Sequence, residues 1–174
     1  PNARGLVRAG ILPNYKLGYM QQWNFALERE VPLQQVLTVA YVGTKGTGLN
    51  QRINYNQAIP GDGAVDARRR WPQHAAVNIL QPAGSSSYHS LQVTARRRFA
   101  SGVGYQLAYT YSHFIDSGTI AAAAATIANV PFNSLALNKG NADQDLRHHL
   151  RATFQYELPF GRGKAFCSDL KGVA

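Results

Sequence analysis

The chain has 174 residues and carries 18 Lys+Arg against 9 Asp+Glu, a formal charge of +9. That length suffices for one domain with a sizeable core, yet charged residues are only 16%, below the ~25% usual for soluble domains. A single cysteine, Cys167, excludes a disulfide framework and a Cys-based zinc site, and no run of ~18 apolar residues is present to make a transmembrane helix.

Residues 1–18 are a polar, irregular lead-in with Pro13, and no element is assigned there. The opening Pro1-Asn2 shows no basic-then-apolar leader, so a fragment of a longer protein is expected. From Tyr19 the positions Tyr19, Gln21, Trp23, Phe25 and Leu27 alternate with Met20, Gln22, Asn24, Ala26 and Glu28. This period of two marks a strand, although Met20, Trp23 and Leu27 would also share a helix face. Pro32 ends the segment, because proline cannot donate to a ladder. A second segment sets Gln35, Leu37, Val39 and Tyr41 against Gln34, Val36, Thr38 and Ala40, and stops at Gly43. Together they predict a hairpin. Residues 43–86 are dense in Gly, Asn, Pro and Ser and predict a long loop.

The clearest pattern follows. Leu91, Val93, Ala95, Arg97 and Phe99 alternate with Ser90, Gln92, Thr94, Arg96 and Arg98. After Ala100-Ser101-Gly102, Val103, Tyr105, Leu107, Tyr109 and Tyr111 alternate with Gly104, Gln106, Ala108, Thr110 and Ser112. A short link bearing Gly makes these a second hairpin, with one apolar, aromatic face and one polar, basic face. Residues 114–145 predict a second long loop, whose alanines at 121–125 could form a helical turn or two. A fifth segment sets Leu146, His148, Leu150, Ala152, Phe154, Tyr156 and Leu158 against Arg147, His149, Arg151, Thr153, Gln155 and Glu157. Residues 159–163 then turn the chain, and a sixth segment is expected from Lys164.

The rhythm is strand, short turn, strand, long loop. Outer-membrane barrels share it, with short periplasmic turns, long extracellular loops, apolar-out and polar-in alternation, and aromatic residues at both interfaces. Tyr19, Trp23 and Tyr41 fall toward the long-loop end; Phe99, Val103, Tyr156 and Phe160 fall toward the short-turn end. Arg97 lies near a turn, where its side chain can snorkel. On this reading Arg96, Arg98, Arg147, His149 and Arg151 line a watery lumen.

The positive balance also fits nucleic acid or acidic polymers. On that reading the arginines would meet phosphates while the tyrosines stack on bases. The tyrosines occupy the opposite face, which breaks the pairing, so nucleic acid is disfavoured as a partner. A soluble basic β-sheet module binding nucleic acid or polysaccharide is the alternative. Gly43-Thr44-Lys45-Gly46-Thr47-Gly48 lacks the spacing of a phosphate loop and is read as a flexible strand exit. The adjacent His148 and His149 would point to opposite faces and cannot readily share an ion. No residues suggest catalysis, and no metal or other cofactor is expected.

Several stretches resemble the barrel of a TonB-dependent outer-membrane transporter of the Oar-like type, which carries a carboxypeptidase-regulatory-like N-terminal domain. They are Gln21-Gln22-Trp23-Asn24, Ala40-Tyr41-Val42-Gly43-Thr44-Lys45-Gly46 and Ile53-Asn54-Tyr55-Asn56-Gln57. They continue with Ser87-Tyr88-His89-Ser90-Leu91-Gln92, Tyr109-Thr110-Tyr111-Ser112, Asp145-Leu146-Arg147-His148-His149 and Tyr156-Glu157-Leu158-Pro159-Phe160-Gly161. The resemblance implies a Gram-negative outer membrane, a large barrel of about 22 strands with a plugged lumen, and uptake of a solute energised through the TonB complex. Plug and TonB-contacting segments would belong to N-terminal regions of the full-length protein, and no motif marks a substrate site. The expected fold is therefore all-β: an antiparallel up-and-down meander of five to six strands over 19–166, part of a transmembrane barrel facing outer-membrane lipid, with 167–174 starting a continuation.

Overall fold

The computed structural model describes residues 6–118, 126–127, 134–161 and 163–166. Among them the chain is an all-β antiparallel meander with two short 3-10 turns and no α-helix. The strands are β1 (Leu6–Ile11), β2 (Tyr19–Val31), β3 (Gln35–Asn54), β4 (His74–Ala100), β5 (Val103–Asp116), β6 (Thr126–Ile127), β7 (Gly140–Asn141) and β8 (His148–Tyr156). Hydrogen-bonded neighbours run β2-β3-β4-β5, with β8 pairing along β5 from Val103 and β7 pairing at its other end. Two additions are parallel: β1 lies along the start of β4, and β6 pairs with the end of β3.

The turns follow local chemistry. Ser101 and Gly102 have φ of 51° and 79°, the left-handed pair that a two-residue hairpin turn with the sheet's own twist requires. After Pro32, Leu33 and Gln34 likewise adopt φ of 68° and 57° to reverse the chain between β2 and β3.

The strands outrun the alternation in the sequence. β3 continues through Gly43-Thr44-Lys45-Gly46-Thr47-Gly48 to Asn54, and β4 starts at His74. The loop expected over 43–86 is thus confined to 55–73, and the glycine-rich run is strand rather than a flexible exit. The lead-in contains β1. The second loop begins after Asp116 and contains a 3-10 turn, Leu135–Asn138, as well as β7. The alanines at 121–125 lie outside the described residues. No strand follows Lys164 in the described residues; Phe166 makes one bridge to Phe160, with rings 5.6 Å apart. β4 has 27 residues, whereas a tilted strand crosses a bilayer in about 9–11.

Two compact units divide these strands. The first draws on Pro1–Asn24, Val42–Ser90 and Ser112–Arg147; the second on Phe25–Tyr41, Leu91–Tyr111 and His148–Ala174. The first unit has a polar interior. Its buried side chains include Gln51, Asn56, Gln81, Ser90, Ser112 and Ser117, while Ile53 and Ala142 are the buried apolar residues among those described. Gln51 Nε2 donates to the Ser117 carbonyl at 2.6 Å, and the Ser117 hydroxyl accepts from Ser85 N at 2.7 Å. These bonds satisfy polar groups that would be costly to bury alone. The second unit's strand stretches keep the period of two. Along β3, Leu37, Val39 and Tyr41 are exposed while Thr38 and Ala40 are half-buried.

Candidate functional site: the two faces of the sheet

The β5–β8 register decides which side chains share a face, because directly opposed residues project to the same side. Val103 opposes Tyr156, Tyr105 opposes Phe154, Leu107 opposes Ala152, Tyr109 opposes Leu150 and Tyr111 opposes His148. Both apolar sets therefore form one continuous face. Gly104 opposes Gln155, Gln106 opposes Thr153, Ala108 opposes Arg151 and Thr110 opposes His149, which gathers the polar sets on the other. A slip of one residue would mix the two.

The apolar face is not covered. On it Leu150 and Phe154 are each 68% exposed; Leu158, just beyond β8, is 62% exposed, and Phe25 and Leu27 of β2 are each 63%. Leaving five such side chains in water forgoes on the order of 10 kcal/mol of burial, comparable to the whole stability of an ordinary domain. A sheet that presents these residues outward is built for an apolar solvent.

Aromatic and amphipathic side chains bound this face. Near the short turn, the Tyr105 hydroxyl donates to Gln35 Oε1 at 2.8 Å, and Tyr105 lies 6.5 Å from the Phe154 ring. Toward the other end, His148 stacks on Tyr109, shares a 2.8 Å hydrogen bond with its hydroxyl, and lies 5.2 Å from Tyr111. Val103 and Tyr111 are eight residues apart, roughly 26 Å along a strand, or about 20 Å of height at barrel tilts of 35–45°.

Comparison with known families matches the whole chain, residues 1–174, to the outer membrane beta barrel domain. The chain belongs to that family. No curated protein and no solved structure matches it. Membership places the barrel segment in the outer membrane, and the apolar face just described is what such a segment turns to lipid. No described helix is long and apolar enough to cross a membrane; barrel strands cross instead.

The barrel's polar face separates the basic residues expected there. Arg151 and His149 stand on it opposite Ala108 and Thr110, both exposed. Arg96 lines a small recess of about 180 Å³ with Gln106, Thr153 and Gln155. Arg96 and Arg98 are exposed, and among the described residues neither they nor Arg151 forms an ion pair. Arg147 does not join this group. Its Nε donates to Asp145 at 2.8 Å, and it is placed in the first unit. His148 and His149 oppose Tyr111 and Thr110 and so lie on different faces, as their adjacency requires.

Three positions stand in stretches that resemble the transporter barrel, but their structural roles are not read from the sequence. The first is Asp145, with 6% of its side chain exposed. Its Oδ1 accepts from Phe114 N at 2.7 Å, and its Oδ2 takes Arg147 Nε and lies 3.5 Å from His113 Nδ1. The Phe114 amide, then Arg147 and His113, hold its carboxyl below the usual aspartate range despite an opposing push from burial. A lowered folded pKa contributes stability above the unfolded value, near 3.9, that is lost as pH falls through the folded pKa. Amide exchange at Phe114 and Ser112 should therefore accelerate below pH 4. Asp145→Asn should remove that pH dependence; unchanged acid sensitivity in the variant would contradict the assignment.

The second is Gly43. A Cβ there would lie 2.3 Å from Trp23 Nε1, so the indole of β2 rests on bare backbone of β3. Gly43→Ala should displace Trp23 and cost about 1–3 kcal/mol. A shift in the emission that Trp23→Phe removes checks it.

The third is Asn56, wholly buried. Its Nδ2 donates to the carbonyls of Trp71 (3.0 Å) and His74 (2.7 Å), and its Oδ1 accepts from Trp71 N at 2.8 Å. Asn54 Oδ1 accepts from Val77 N at 3.0 Å and from Asn56 N at 2.9 Å. Together they tie both ends of the 55–73 loop to β4.

Proposed function

We propose that this segment is part of the wall of a TonB-dependent, Oar-like transporter that takes up a solute across the outer membrane. Its role is structural: it separates lipid from a basic aqueous lumen and performs no catalysis. The observation carrying the reading is the β5–β8 register, which sorts one strand pair into an apolar face and a face bearing Arg151 and His149. Further support comes from the residues that resemble the transporter family. Asn54, Asn56 and Asp145, which stand in those stretches, make the buried bonds that fix the loop and the entry to β8. The short turns then face the periplasm and the 55–73 loop the exterior, following the usual asymmetry of such barrels.

The test uses the full-length gene product extracted from outer membranes. Its retention on an immobilised periplasmic domain of TonB is the expected result. Failure to bind under conditions that retain an authentic TonB-dependent transporter would overturn the transport reading while leaving the barrel intact. The soluble nucleic-acid reading gains no comparable support, since Tyr105 and Tyr109 oppose Phe154 and Leu150 rather than the arginines.

A further inference from the structure

The 55–73 loop encloses a cleft of about 590 Å³ lined by Tyr55, Gln57, Ile59, Pro60, Ala67 and the three arginines Arg68, Arg69 and Arg70. This volume lies in the range of small-molecule sites, about 300–1,000 Å³. Its wall is assembled rather than loose. Arg68 donates to the Ile59 carbonyl at 2.6 Å, and Ile59 N returns a bond to the Arg68 carbonyl at 3.1 Å. Arg69 bonds the carbonyls of Asn56 and Ala75 and pairs with Asp66, while the Tyr55 hydroxyl donates to Gln81.

The chemistry of the lining is one-sided. Ile59, Pro60, Ala67, the Tyr55 ring and the arginine stems present apolar surface, and three guanidinium groups supply charge with no carboxylate among the lining residues. Arg69 is already paired with Asp66. Arg70 is exposed, with its guanidinium 4.9 Å from the centre of the Trp71 ring. Arg68 Nε is buried and has no hydrogen-bond partner, which leaves a donor unsatisfied in the cleft wall. Arginine's planar fork suits a carboxylate, and an apolar wall suits a hydrocarbon or aryl body.

We infer that this cleft binds a small organic anion with an apolar body and a carboxylate head, the body against Tyr55, Ile59 and Pro60 and the head at Arg70 and Arg68. The inference rests on the uptake reading for its role, as the point of solute capture, but its test reads binding alone. Fixing the wall before the ligand arrives reduces the ordering cost of association.

The experiment is isothermal titration of the purified full-length protein in detergent with 4-phenylbutyrate, and in parallel with its neutral amide, 4-phenylbutanamide. The amide reports any uptake of the aryl body by micelles. Saturable binding of the carboxylate, weakened roughly tenfold or more by Arg70→Gln and less by Arg70→Lys, which keeps the charge but not the planar fork, is expected from the loss of a charge-assisted contact. Arg70 is chosen because its contact here is with the Trp71 ring, whereas Arg68→Gln would also undo the bond to Ile59. Equal binding of acid and amide, no binding of either, or an unchanged affinity in Arg70→Gln would each overturn the inference. Loss of TonB retention with intact binding would instead overturn the uptake reading alone.

Discussion

Leu107→Lys should destabilise the barrel by about 2–4 kcal/mol, the cost of a lysine at mid-depth on a lipid face. Leu107 sits midway between Val103 and Tyr111 on β5, opposite Ala152. One residue away, Gln106 is exposed on the polar face opposite Thr153. Gln106→Lys should change stability by less than about 0.5 kcal/mol, as an ordinary wet-surface substitution does. Urea unfolding of the two variants in lipid vesicles gives the comparison. A soluble sheet buried on its apolar side would also dislike lysine at 107, so vesicle thickness is the second control. Thinner bilayers, which bring position 107 nearer an interface, should relieve the penalty only if lipid is the solvent there.

Asn56→Ala carries the second large effect. It removes three side-chain hydrogen bonds, costing the His74 carbonyl and the Trp71 amide their Asn56 partners, while the Trp71 carbonyl keeps its 3.0 Å bond from the His74 amide. At about 1 kcal/mol per bond, and more where a buried group is orphaned, the loss is about 3–4 kcal/mol. Asn56→Asp should be no better, since it places carboxylate oxygens against two carbonyls. The loss should appear locally. Trypsin added to intact cells should cut at Arg68–Arg70 markedly faster in both variants, while the membrane-spanning strands keep their wild-type unfolding midpoint. Equal cleavage rates would show that Asn56 does not hold the loop.

These two variants mark the boundary of what the sequence reveals. A period of two is visible only where the faces meet different solvents. Leu91 to Phe99, Val103 to Tyr111 and Leu150 to Leu158 alternate because one side meets lipid and the other water. Beyond Gly43, and before Leu91, the side chains that β3 and β4 bury include the polar Gln51, Gln81 and Ser90, and Lys45, Thr47, Ser85 and Ser87 carry no period. The long strands therefore resemble loops by composition. β1 is equally hidden, since its parallel pairing with β4 depends on backbone groups rather than a side-chain pattern.

The sites divide in the same way. Parity in the sequence groups Arg96 with Arg98 and His149 with Arg151, and the β5–β8 register sets His149 and Arg151 opposite Thr110 and Ala108. Arg147 shares that parity but is held by Asp145 at 2.8 Å, a contact that parity does not encode. Asn54, Asn56 and Asp145 are residue types common in any loop. What distinguishes them is burial among backbone donors and acceptors, which spacing in a sequence does not encode.

The central claim is that alternate residues of β5 face lipid and water. Spin labels placed singly from Val103 to Tyr111, in a cysteine-free background of the full-length protein in vesicles, test it directly. Accessibility to oxygen should peak at 103, 105, 107, 109 and 111, while accessibility to a water-soluble nickel complex should peak at 104, 106, 108 and 110. Two profiles rising and falling together, or oxygen accessibility without a period of two, would contradict the account.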